Sequence, residues 1–148
     1  MSIIYLDTSA LLKLYIQESN STDIKNLVTS AYGAGSSILT YTEMAAVMAR
    51  AERMRILAGE SAKAAWSNFL HDWPEITRLK ISPVLTERAA SLAWEFGLRG
   101  YDAMHLSTAL TWQDALEEPV LLATFDRLLW IAGKKAGIAT WPEALISE

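Results

Sequence analysis

The chain has 148 residues and no cysteine, which excludes disulfides and thiolate metal sites and gives an oxidising compartment no support. It is 51% apolar, with six Trp, five Tyr and three Phe, which excludes disorder and supplies a real core for one domain over residues 1–148. Thirteen basic against 17 acidic side chains, a net charge of −4, argue against a general nucleic-acid binder.

The chain starts without a basic region and meets an acid at Asp7, unlike a signal peptide. No apolar run approaches the roughly 18 residues that a spanning helix needs. A soluble, cytoplasmic protein with no membrane partner is expected. In chain order, short apolar runs at 3–6, 37–40, 76–81, 120–124 and 138–140 read as strands. Segments with a 3.6-residue period at 8–17, 21–32, 42–55, 60–73, 84–97, 101–115 and 126–136 read as helices. Pro74 stops the fourth helix, Gly97 and Gly137 end two others, and Pro142 opens a last helical turn. Strands alternating with helices predict an α/β fold, a mostly parallel sheet of four or five strands flanked by about seven helices.

Four acids fall at places where such a sheet holds its ligands. Asp7 directly follows the first strand, Asp126 follows the run 120–124 by two residues, and Glu43 lies three past Thr40. The carboxyl ends of parallel strands and the helix starts beyond them form the ligand crevice of an open sheet. Asp102 opens a helix after Gly100, where the helix dipole favours its charge. Helical spacing places Asp7 in line with Ala10, Leu11 and Leu14, and Asp102 with His105, Leu106 and Ala109. It likewise aligns Asp126 with Leu129 and Trp130, and Glu43 with Ala46 and Val47. Each acid is therefore expected to head an inward-facing apolar stripe.

A carboxylate drawn toward a core is costly unless it is paired or bound to a cation. An acid that begins a helix can be a plain dipole partner, but four together have no four basic residues spaced to pair them. A cluster of hard oxygen donors suits Mg²⁺ or Mn²⁺, which serve phosphoryl chemistry by activating water and neutralising the leaving oxygen. With these acids set around cations, the remaining charges balance at 13 of each sign, so the acidic total does not exclude a nucleic-acid substrate. His71 and His105 fall within helices away from any nucleophile, and His105, one turn from Asp102, reads as a packed core histidine. No Walker-type loop and no GxGxxG motif is present. A haloacid-dehalogenase-like phosphatase needs a second Asp where Ser9 stands, and a receiver domain needs an adjacent acid pair after the first strand.

The motifs resemble those of the PIN-domain family, specifically its VapC-type toxins. Asp7-Thr8-Ser9 after the first strand resembles the opening motif, and Thr42-Glu43 with Arg50 on the following helix resembles the second. Leu98 through Leu106, around Asp102, is the most specific match, and Thr124-Phe125-Asp126-Arg127 resembles the fourth. The resemblance covers essentially the whole chain. It implies Mg²⁺ or Mn²⁺ held by Asp7, Glu43, Asp102 and Asp126, with hydrogen-bond support from Ser9 and Thr124. It implies a hydrolase, an endoribonuclease cutting RNA with metal-activated water, forming a homodimer and silenced by a VapB-like antitoxin in a type II toxin–antitoxin pair. A catalytically silent PIN-like interaction module and a DNA structure-specific nuclease are the competing readings. Arg99 and Arg127, beside two of the acids, are the candidate phosphate contacts. The fourth helix carries Trp66, Phe69 and Trp73, more large aromatics than a short helix needs to cover a sheet, so these are expected to line the antitoxin groove.

Overall fold

A computed structural model describes residues 2–145. Its elements are β1 (Ile3–Leu6), α1 (Thr8–Leu12), α2 (Ser21–Ser30), β2 (Gly33–Ser37), α3 (Thr40–Arg53), α4 (Gly59–Asp72), β3 (Thr77–Leu79), α5 (Pro83–Phe96), α6 (Gly100–Leu116), β4 (Val120–Ala123), α7 (Arg127–Ala136) and β5 (Ala139–Trp141). A 3₁₀ turn over Trp73–Glu75, with Pro74 inside it, ends the run of α4. The strands form one parallel sheet in the order β3-β2-β1-β4-β5. Among the described residues, the α/β architecture of seven helices and five strands is the one expected.

β1 lies at the centre because it is apolar on both faces, as a strand covered by helices on both sides must be. Alternation sends Tyr5 to one core and Ile4 and Leu6 to the other. The first core joins Tyr5 to Leu106, Leu122 and Leu129; the second joins Ile4 and Leu6 to Leu11, Ile24, Met44 and Phe69. From β1 the chain builds β2 and β3 on one side, then β4 and β5 on the other. The order reverses between β1 and β4, where a crevice opens at the strands' carboxyl ends.

Three boundaries differ from the sequence reading. The second strand is Gly33–Ser37, not 37–40, and Thr40 already begins α3. Its Gly-Ala-Gly-Ser-Ser sequence has no apolar signal, yet small residues are what its position requires. A Cβ on Gly35 would stand 2.7 Å from the Trp112 ring of α6 and 3.2 Å from the Thr77 carbonyl oxygen. α1 stops at Leu12, and the chain continues to Ile16 through tighter turns. After Pro142 no helix forms through residue 145, and the rest of that predicted turn lies outside the described residues.

Candidate active site

The crevice between β1 and β4 is built from short-range geometry. Asp7 ends β1 and caps α1, its Oδ1 accepting the Ala10 backbone N–H at 2.9 Å and the Ser9 hydroxyl at 2.7 Å. Its Oδ2 accepts the Thr124 hydroxyl at 2.6 Å from the end of β4. Parallel pairing of Leu6 with Ala123 brings these ends together, and the Asp7 N–H bonds the Ala123 carbonyl at 3.2 Å. Asp7 is only 3% exposed. Burial raises its pKa, against the opposing effects of His105 and the three donors. Thr124 also accepts the Asp126 backbone N–H at 3.0 Å, and Asp126 caps α7 through the Leu129 N–H at 3.0 Å.

Asp102 sits half-buried in the first turn of α6. Its pKa is raised first by burial and then by the charge of Asp126, with Asp7 adding to the effect and Arg99 opposing it. Arg99 lies across the two acids, 3.6 Å from Asp102 and 3.7 Å from Asp126. Its side chain is 79% exposed, so these long ion pairs are weak. Glu43, in the first turn of α3, turns one oxygen inward: Oε1 accepts the Thr8 hydroxyl at 3.0 Å and meets His105 Nε2 at 2.8 Å. The other His105 nitrogen, Nδ1, meets the Tyr5 hydroxyl at 2.7 Å. Burial alone would lower the His105 pKa. The Glu43 hydrogen bond and the charges of Asp7, Glu43 and Asp102 outweigh it and raise the value.

Asp7, Asp102 and Asp126 are thus brought within electrostatic reach of one another, and Glu43 joins them through Thr8 and His105. Ser9 and Thr124 both hydrogen-bond Asp7. Arg127 is exposed at the start of α7. Among the described residues, no three of the carboxylates and imidazoles stand together as a ready cage for one ion. Glu43 is engaged with His105, and Arg99 lies beside Asp102 and Asp126. By type the donors fit a hard divalent cation: all four are carboxylates, and the charge concentrated around half-buried Asp102 is what such an ion would relieve.

Two sequence expectations need correction, and a third is extended. His105 is buried as expected, but it bridges the site to the core, and Thr8 and Tyr5 join it there; the signal was its place one turn after Asp102 on the same face. Glu43 does not head an inward stripe, since Ala46 and Val47 are exposed and Thr40, Met44, Met48 and Ala51 are the buried residues of α3. Phe69 and Trp73 line no groove. They are 0% and 6% exposed within the second core, their rings tilted against exposed Tyr41, because their stripe faces α3 and the sheet. Trp66 alone of the three remains partly exposed.

The sequence pattern of the PIN domain matches residues 4–129, and the chain belongs to the PIN-domain family. It is 32% identical over 149 residues to Ribonuclease VapC49 of Mycobacterium tuberculosis (strain ATCC 25618 / H37Rv), covering 98% of this chain and 99% of that protein. It is 33% identical over 143 residues to Ribonuclease VapC47 of Mycobacterium tuberculosis (strain CDC 1551 / Oshkosh), covering 93% and 95%. Its fold is similar to that of VapBC2 from Rickettsia felis, solved bound to a DNA fragment from their promoter, with a TM-score of 0.63 at 14% identity over 93% of this chain and 96% of that one.

Proposed function

We propose that the protein is a metal-dependent endoribonuclease and the toxin of a VapBC-like toxin–antitoxin pair. The observation that carries this reading is that Asp7, Asp102 and Asp126 lie around the sheet's switch point, where burial raises the pKa values of Asp7 and Asp102 and the charges of Asp126 and Asp7 raise that of Asp102 further. Identity of 32–33% over nearly the whole chain to proteins named Ribonuclease VapC supports RNA as the substrate. Asp7, Glu43, Asp102 and Asp126 would hold Mg²⁺ or Mn²⁺, the ions that an all-oxygen donor set favours. When bound, such an ion lowers the pKa of water and stabilises charge on the leaving oxygen. The chain's own groups do the rest. Ser9, Thr124 and the Ala10 N–H hold Asp7 in one orientation, and Thr124 holds the backbone of Asp126 beside it. Exposed Arg99 would contact a backbone phosphate once the crevice acids are neutralised, with Arg127 on α7 as a second such contact.

An antitoxin partner is supported by the VapBC fold neighbour. Its docking site is assigned to the space between α3 and α4, where Trp66, Met48, Ala62 and Glu52 line a cavity of about 300 Å³. A homodimer belongs to the same reading.

The test uses one sequence as single-stranded RNA and as DNA, incubated with purified protein in Mg²⁺, in Mn²⁺ and in chelator. RNA cleavage only with metal, abolished by Asp7→Asn and by Asp102→Asn with the fold retained, is the expected result. Cleavage that persists in chelator or in both variants would refute the site. Cutting of DNA in preference to RNA would reassign the substrate, and no cleavage at all would leave an interaction module.

A further inference from the structure

His105 is 3% exposed, and the function proposed above leaves it no proton to carry. We propose that His105 is a positioning residue that holds Glu43 by one oxygen, Oε1, and so presents the other, Oε2, to the divalent cation. This rests on the metal-dependent reading of the site.

A carboxylate can only accept, so His105 Nε2 carries the proton it gives to Glu43 Oε1 at 2.8 Å. In the neutral ring Nδ1 is then an acceptor, and the Tyr5 hydroxyl at 2.7 Å supplies its proton. Tyr5 is fully buried on β1, so the imidazole is anchored at its far end by the central strand of the sheet. The Thr8 hydroxyl donates to the same Oε1 at 3.0 Å. Among the described residues no hydrogen bond ends on Oε2, and the Glu43 side chain is 21% exposed. A glutamate at the edge of a helix ordinarily samples several rotamers. Here two donors stop that motion, one from the residue after Asp7 and one from the residue a turn beyond Asp102. His105 thereby ties α3 to the two elements that carry the other acids. Partners that fix a ligand's orientation typically matter by about 10–100-fold in metal affinity or activity.

The full-length protein is compared as wild type, His105→Leu, His105→Gln and Tyr5→Phe. Glutamine can place an N–H donor near the imidazole Nε2 position, whereas leucine keeps the bulk without the donor. Two quantities are read: the Mn²⁺ concentration giving half of the metal-induced rise in melting temperature, and kcat and KM for one RNA. His105→Leu is expected to need about 10–100-fold more Mn²⁺ and to lose kcat with little change in KM. His105→Gln should recover most of both. Tyr5→Phe should shift the Mn²⁺ requirement in the same direction by less, and it decides the matter if His105→Leu does not fold. An unchanged Mn²⁺ requirement in the folded leucine variant, or a glutamine variant no better than leucine, would overturn the proposal and leave a packing role. A wild type that shows neither Mn²⁺ stabilisation nor metal-dependent cleavage would overturn the proposed function along with it.

Discussion

Thr124 Oγ1 stands 2.6 Å from Asp7 Oδ2, although 117 residues separate the two in the chain. The same oxygen accepts the Asp126 backbone N–H at 3.0 Å, so one buried hydroxyl joins the end of β1 to the junction of β4 and α7. Thr124→Val keeps the shape and removes both bonds, leaving a buried carboxylate short of a donor and an amide without an acceptor. The expected loss is about 1–3 kcal/mol per orphaned group, read by denaturant unfolding, with Thr124→Ser close to wild type. Equal stability of the valine and serine variants would show that the hydroxyl is dispensable.

The raised pKa values set the sign of the pH dependence without metal. Asp7 and Asp102 are raised above 3.8 in the folded state, so the folded protein holds those protons more tightly than the unfolded chain. Their stabilising contribution is complete below that value and is lost as pH rises through the folded values. His105, raised above 6.5, has the same sign at higher pH. Asp7→Asn removes a buried charge at little cost in volume. In chelator its melting temperature should exceed that of wild type by a margin that widens as pH climbs from about 4. A margin that narrows with pH would contradict the raised Asp7 value.

Divalent metal should reverse that penalty. An ion that binds only the native state stabilises by about 2.7 kcal/mol at a hundred times its dissociation constant, and Mn²⁺ or Mg²⁺ should raise the wild-type melting temperature accordingly. Asp7→Asn and Asp102→Asn should respond weakly. A flat wild-type curve up to millimolar metal would count against a carboxylate site.

Gly35 and Trp112 are coupled by contact across β2 and α6. Gly35→Ala drives a methyl group to 2.7 Å from the indole ring and should destabilise by about 1–3 kcal/mol. Paired with Trp112→Leu, which clears that space, the alanine should cost much less. Additive losses in the double-mutant cycle would place the strain elsewhere.

The aromatics of α4 and of the 3₁₀ turn that follows it separate core from surface. Trp73→Ala should cost about 3–5 kcal/mol through the cavity it leaves. Trp66→Ala should lower the melting temperature far less while weakening antitoxin binding. A large melting loss for Trp66→Ala with unchanged affinity would move that residue into the core.

The amino-acid sequence by itself determined the order of elements and pointed to the four candidate acids. Apolar runs and 3.6-residue stripes report what must be buried, and an acid just past a strand end lies at the crevice whatever the helices do. It placed β2 too late, at 37–40, because Gly33–Ser37 carries no apolar pattern; only the approach of Trp112 reveals why small residues belong there. It also could not tell which way a stripe faces. Periodicity grouped Trp66, Phe69 and Trp73, but packing of α4 against α3 and the sheet buried the last two and left Trp66 at the edge. The bridge from Tyr5 through His105 to Glu43 spans β1, α6 and α3. Contacts between residues 100 and 62 positions apart leave no local trace, and only the assembled sheet brings their atoms within hydrogen-bonding distance.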